Sequence, residues 1–353
     1  MLKAFYKKHT LHFKKPGGTS RGVLRKKDSW FLVVYDDQAP EKKGIGECSI
    51  IRRLSIDDRP DFEQKLSEVA GDINRHAYWL EEGLTEFPSI RFGLETALKD
   101  LNAEIPRILF PSGFTAGKES IPINGLVWMG SFEEMSRQIK EKVEQGFRCI
   151  KLKIGAIDFD EELTLLKGIR REFPEKDMEL RVDANGAFSP EEALIKLQRL
   201  AELQLHSIEQ PIRQNQWEEM ARICALSPVP VALDEELIGI SDPEKISKML
   251  DTINPQYIIL KPSLLGGWRQ SELFISEAEK RKIGWWVTSA LEANIGLNAI
   301  AQWTFILNSN MYQGLGTGQL FTNNLPSPLT IKDGHLHYNV NGLWDMKPIM
   351  DGQ

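Results

Sequence analysis

The chain has 353 residues, with 44 Lys+Arg against 50 Asp+Glu, 27% charged and 41% hydrophobic. That length exceeds one ordinary core, and the near-average composition excludes a disordered, collagenous or coiled-coil protein. A formal net charge of -6, without any long Lys/Arg block, argues against a nucleic-acid binder but not against a locally positive site for an anionic substrate.

The basic N-terminal stretch lacks an apolar core of signal-peptide length. No segment reaches the ~18 apolar residues of a membrane span. Cys48, Cys149 and Cys224 are an odd, scattered set, which reads as small buried hydrophobes in a reducing compartment. A soluble, cytoplasmic protein without a membrane partner is expected.

In chain order, residues 1–14 and 29–35 are strand-like, and the Gly- and charge-rich stretch between them reads as a mobile loop. Helical spacing follows over 60–83, with Phe62, Leu66, Val69 and Ile73, and over 88–105, with Phe92, Leu94, Leu98 and Leu101. Strands followed by helices suggest an α+β unit over about 1–120.

Beyond residue 120 short apolar runs alternate with helical patterns. The runs are 121–128, 147–155, 178–186, 205–211, 229–236, 257–263, 283–291 and 310–318. Ser189-Pro190 and Ser241-Asp242-Pro243 suit helix starts between them. Polar residues end the middle runs at Lys153, Asp183, Glu209, Asp234, Lys261 and Ser289, 25 to 30 residues apart. A βα unit of a barrel has about this length, ~250 residues over eight units. The missing glycine-rich nucleotide fingerprint disfavours an open doubly wound sheet. The expected fold is therefore α/β: a barrel over about 121–319 with an α+β addition, to which the tail (about 320–353) returns.

Strand alternation places Cys149, Lys151 and Lys153 on one face, and Arg181 with Asp183 on the matching one. Glu209, Asp234 and Lys261 follow the same parity, at the barrel end where active sites sit. Three converging carboxylates raise one another's pKa unless they share a cation. Asp183, Glu209 and Asp234 offer only hard oxygen donors, which favours Mg²⁺, with Mn²⁺ as a substitute. Lys153 and Lys261 flank the trio, and metal plus lysine suits proton abstraction beside a carboxylate. Any one of these residues alone would read as a structural ion pair; five with one period and one parity do not.

The K-x-K of 151–153, D-A-N of 183–185, E-Q-P of 209–211, D-E of 234–235 and K-P-S of 261–263 resemble the enolase superfamily. A lysine on each side resembles its muconate-lactonizing branch. That resemblance implies a (β/α)7β TIM-type barrel closed by a capping domain, with Lys153 and Lys261 catalytic and the trio as metal ligands. The mandelate-racemase branch fits worse, since no His-Asp pair stands where its second base belongs. His206 reads as a core or supporting residue, and His335 and His337 as part of a strand-like tail.

Three further segments, 16–22, 289–302 and 314–321, resemble the branch's dehydratases of menaquinone biosynthesis. These aromatise a hydroxycyclohexadiene carboxylate bearing a succinyl chain. Glycines stand where the branch's dipeptide epimerases carry D-x-D, so Gly314, Gly316 and Gly318 would offer N–H groups to a carboxylate. Thr19, Ser20 and Arg21 would hold the succinyl tail as the loop closes, against the alternative of an ordinary exposed turn. Lys151 and Asn185 would help bind substrate, and Ser289 either does so or caps the following helix. The rival readings are an N-succinylamino acid racemase, a muconate cycloisomerase and a non-catalytic metabolite-binding barrel. A homo-oligomer is left open, as is whether Trp268, Trp285, Trp286 and Trp303 belong to an interface or to the core.

Overall fold

The computed structural model describes residues 1–19, 22–155 and 157–350. The chain opens with a three-stranded antiparallel sheet of β1 (Leu2–Thr19), β2 (Gly22–Asp36) and β3 (Ala39–Ser49). Here the structure departs from the sequence reading. The supposed loop is nearly all strand, the register slipping once between His12 and Gly17 before pairing resumes. Gly17 and Gly18 account for the misreading. A side chain at Gly18 would come within 2.4 Å of the Met129 carbonyl, and one at Gly17 would press on the Trp128 ring. The pair serves close approach to the barrel, where Gly18 bridges to Met129.

β3 escaped notice because Pro40, Gly44, Gly46 and its charges break the strand pattern. The structure uses that lack of side chains: a Cβ on Gly46 would stand 1.7 Å from the Gly93 carbonyl. The helix α3 (Pro88–Leu101) therefore lies directly on the β3 backbone. Before it come α1 (Phe62–Gly71) and α2 (His76–Tyr78), so the helix expected over 60–83 breaks after α1 and continues only as short helical turns. Apolar residues of these elements, among them Trp30, Phe62, Leu66, Val69 and Leu94, form one core.

The predicted strand 121–128 divides. β4 (Ser120–Pro122) leaves the barrel to pair with the tail hairpin β12 (Leu329–Lys332) and β13 (His335–Tyr338). β5 (Gly125–Val127) begins a parallel seven-stranded sheet. That sheet runs through β6 (Cys149–Lys153), β7 (Glu179–Asp183), β8 (Ser207–Glu209), β9 (Val231–Leu233), β10 (Tyr257–Leu260) and β11 (Gly284–Val287). The eighth expected strand, 310–318, survives only as bridges. Gln313 joins Ile123 on one side and Gly314 joins Thr288 on the other, which closes the ring. This is the (β/α)7β barrel with an α+β cap.

The covering helices are α4 (Phe132–Glu144), α5 (Phe159–Glu172), α6 (Pro190–Leu200), α7 (Trp217–Leu226) and α8 (Pro243–Ile253). After the short α9 (Pro262–Leu265) come α10 (Trp268–Lys280) and α11 (Asn294–Ile306). Their starts follow ordinary capping chemistry: Ser189 accepts from the Glu192 N–H and Asp242 from the Glu244 N–H, each with proline in the first turn. Trp268, Trp286 and Trp303 are buried, which places them in the core. The three cysteines are buried and free. The tail also touches the cap, through the edge-to-face Phe13–Phe321 contact and the short helix α12 (Lys347–Met350) beside β1. Among the described residues no helix is long and apolar enough to cross a membrane.

Two buried carboxylates fasten the cap. Asp100 pairs with Arg107 at 2.9 Å and accepts the N–H groups of Ile45 and Arg107. The Arg107 carbonyl in turn accepts from Asn298 and Gln302 of α11, so cap and barrel share this bolt. Asp100→Ala leaves a buried guanidinium uncompensated and is expected to cost about 3–5 kcal/mol. Urea unfolding would measure it, and a loss below about 1 kcal/mol would contradict this role.

Asp57 accepts both the N–H and the hydroxyl of Ser89 in the first turn of α3. Burial pushes its carboxyl up to about 6, against the pull of the Ser89 bonds. An acid raised above its unfolded value of 3.8 holds its proton longer in the folded state. Its contribution is full below that value and disappears as pH rises through about 6. Asp57→Asn should remove up to about 1.4 kcal/mol per pH unit from the slope of stability across that window. Denaturation series at pH 4, 5 and 6 compare the slopes, and equal slopes would refute the assignment.

Candidate active site

Ladder register builds the site. Lys153, Asp183 and Glu209 stand side by side as the last residues of β6, β7 and β8. Asp234 and Lys261 follow directly on the ends of β9 and β10. One parity thus sends every one of these side chains to the same barrel end. Asp183, Glu209 and Asp234 are at most 2% exposed, and Lys151 and Lys153 at most 9%.

With Lys151 the five make six charged groups, and they interlock. Lys151 Nζ contacts Glu209 Oε2 and lies 3.0 Å from Asp183 Oδ2. Lys153 Nζ donates to Asp183 Oδ2 at 2.8 Å and to Asn185 Oδ1 at 2.7 Å, and approaches the Trp128 ring to 5.9 Å. Lys261 Nζ bonds Asp234 Oδ2 and stands 3.9 Å from Glu209 Oε1. Burial by itself would raise Asp183, but Lys151, Lys153 and Lys261 hold it well below the usual carboxylate range. Glu209 goes the other way: burial, with Asp183 and Asp234 beside it, pushes it well up. Lys151 and Lys261 are desolvated, yet the surrounding carboxylates more than offset this and hold their pKa values above normal.

The donor set can be tested for fit to a hard cation. As they stand, no three acidic, His or Cys side chains among the described residues are gathered closely enough to hold an ion, because ammonium groups stand between the carboxylates. Two features nevertheless match a cation site. Glu209 Oε1 is buried with no hydrogen-bond partner. All three side chains offer oxygen alone, the donor type that Mg²⁺ takes. Asp183, Glu209 and Asp234 therefore fit such an ion once the lysines turn away from them.

Above lies a cavity of about 1260 Å³, lined by Lys151, Lys153, Asp183, Asn185 and Lys261 on the barrel side. Its other wall comes from the cap, from Lys14–Lys15, Gly22–Arg25 and Ile51–Leu54. Ser289 lines it too, but as no helix cap: its hydroxyl meets Thr317 Oγ1 at 2.5 Å, and α11 starts five residues later.

The glycine expectation needs correction at Gly314. Its N–H donates to the Val287 carbonyl and its carbonyl accepts from Ser289 N–H, so its backbone closes the barrel and is not free for an anion. Gly316 borders the cavity, whereas Gly318 packs against Asn294. Ser20 and Arg21 lie outside the described residues; Thr19 is placed as backbone in β1, paired with Gly22. His206 stacks on Tyr257 near the start of its strand, with burial pushing it down to about 4.

Two residues went unread although their motifs were seen. Gln210 accepts from the Asp234 and Glu236 N–H groups and donates to Ile212 O and Glu236, tying two carboxylate loops together. Glu235 accepts from Asn185, which holds the Lys153 ammonium. Both Asn185 and Gln210 sit at positive φ, +45° and +40°, a local strain that collects at functional loops. The E-Q-P and D-E strings contained the signal; only the fold assigns it.

Residues 134–343 match the enolase C-terminal domain-like family, and the chain belongs to that family. It is 48% identical to o-succinylbenzoate synthase of Desulfotalea psychrophila, over 94% of this chain and 97% of that protein. The crystal structure of MenC from Desulfotalea psychrophila LSv54 superposes with a TM-score of 0.83 at 45% identity, covering 95% of this chain and 99% of that one. N-succinylamino acid racemase of Thermus thermophilus is 36% identical, over 47% of this chain and 42% of that protein.

Proposed function

We propose that the chain dehydrates 2-succinyl-6-hydroxy-2,4-cyclohexadiene-1-carboxylate to 2-succinylbenzoate, a step of menaquinone biosynthesis, in the cytoplasm. The observation that carries this reading is the near full-length likeness to an o-succinylbenzoate synthase. The buried lysine–carboxylate array under a capped cavity agrees with it.

Asp183, Glu209 and Asp234 would hold Mg²⁺, or Mn²⁺ in its place. Bound there, the ion supplies positive charge against the substrate's ring carboxylate as electron density moves onto it. Lys153, as the neutral amine once it has released a proton to solvent, takes the proton from the carbon bearing that carboxylate, and the C–H electron pair forms the enediolate. Lys261, from across the cavity, keeps its ammonium against this charge. When the C–O bond breaks, the departing hydroxide takes the proton from Lys153, and water leaves with both electrons of that bond. Lys151 orients the carboxylate. The capping unit, about 1–120 with about 320–353, encloses the ring and excludes water.

An ultraviolet assay for the aromatic product, with and without Mg²⁺, tests the reaction; absence of metal-dependent turnover would overturn it. A second reading, racemisation of N-succinylamino acids, has a specific basis in two lysines lining one cavity from different strands. Incubation in D₂O would reveal it as exchange of the α-proton.

A further inference from the structure

The N-terminus of α11 is finished by a side chain from the cap. Glu47 of β3, fully buried, accepts the Ala293 N–H at 2.7 Å through Oε1 and the Gly296 N–H at 2.9 Å through Oε2. Free N–H groups and the positive end of the helix dipole favour such a carboxylate, and here it crosses from one unit to the other. Glu47 is itself held, since Ser29 Oγ donates to Oε1 at 2.7 Å and Lys27 Nζ bonds Ser29 and Ser49. On the barrel side Glu292 accepts from Ser263 Oγ and from the Ala290 N–H. Between these two anchors Leu291 is held at φ +63°, a conformation disfavoured for leucine, while its side chain packs into the apolar cluster of the cap.

The segment so held is the one that lines the cavity, from Thr288 to Leu291. Accordingly, we propose that Glu47 is a positioning residue for substrate binding. By completing the α11 N-terminus it fixes the 288–293 loop, so that docking of the cap and the shape of the substrate wall are set together. This rests on the cavity being the substrate site described above. Glu47 touches neither Lys153 nor the carboxylate trio, so its loss should weaken binding and leave the chemical step in place.

The test compares the full-length protein with its Glu47→Ala and Glu47→Gln variants. In hydrogen exchange without substrate, Glu47→Ala should speed exchange over 289–297 about tenfold, the size of a lost helix cap. Exchange in β6 to β8 should not change. Glu47→Gln, with one acceptor oxygen where two are needed, should release one of the two amides. In the dehydration assay KM should rise about tenfold, with kcat within about twofold of wild type. Unchanged exchange over 289–297, acceleration spread evenly through the barrel, or a lower kcat at constant KM would each overturn the proposal. Should Glu47→Ala fail to fold, Glu47→Gln and Ser29→Ala carry the same comparison. A wild-type protein without dehydration would sink the reaction assignment alone, because the exchange measurement still decides what Glu47 holds.

Discussion

Replacing Lys153 with alanine is expected to lower kcat for dehydration by about 10²–10⁴-fold, the usual contribution of a positioned acid–base group. The reason is geometric as well as chemical. Lys153 lines the cavity, fixed by Asp183 at 2.8 Å and Asn185 at 2.7 Å, and the Lys153–Asn185–Glu235 chain aims a single amine at the ring. Lys151 cannot take its place, because its Nζ is drawn to Glu209. Mg²⁺ affinity should survive the substitution, since all three carboxylates remain. Calorimetric titration with Mg²⁺ alongside single-turnover kinetics separates the two effects. Full turnover in the variant would remove Lys153 from the reaction.

Glu209→Gln should reduce Mg²⁺ affinity by at least ~10²-fold, beyond the 10–100-fold typical of groups that merely support a ligand. The same change should leave the metal-free protein as stable as before, or more so. Glu209 is buried beside Asp183 and Asp234, and one of its oxygens lacks a hydrogen-bond partner. Glutamine matches the uncharged form that burial and these neighbours favour, and its amide oxygen keeps an acceptor for Lys151. Opposite signs in the two measurements make the prediction specific. Mg²⁺ at a hundred times Kd should stabilise the wild type by about 2.7 kcal/mol and raise its Tm, and should scarcely move the variant. An equal Tm rise in both proteins would exclude Glu209 as a ligand.

The barrel was readable because its sequence obeys two periods at once. A period of two within each strand sends Lys151, Lys153, Asp183, Glu209 and Asp234 inward, and a repeat of 25 to 30 residues returns each strand to the same end. The cap was less readable, for a physical reason. Its glycines, Gly17, Gly18, Gly44 and Gly46, look like loop signals because they lack side chains, yet that same lack lets Trp128, Met129 and α3 come close. A sequence shows a glycine's freedom but not the neighbour that needs it. Gly314 is the converse case: its N–H suggested an anion site, but β11 had already claimed it, through the Val287 carbonyl and the ring closure.

By itself the sequence determined the barrel and which charged residues gather at one end of it. Those facts follow from alternation and spacing, which are local properties of the chain. Length also pointed to an addition beyond a bare barrel. Only the tertiary structure decided which polar groups answer one another across distant segments. It placed Lys151 against Glu209, Asn185 between Lys153 and Glu235, and Glu47 at a helix start almost 250 positions away. Such pairings leave no periodic trace, because each is fixed by how two elements pack and not by the order of residues within either.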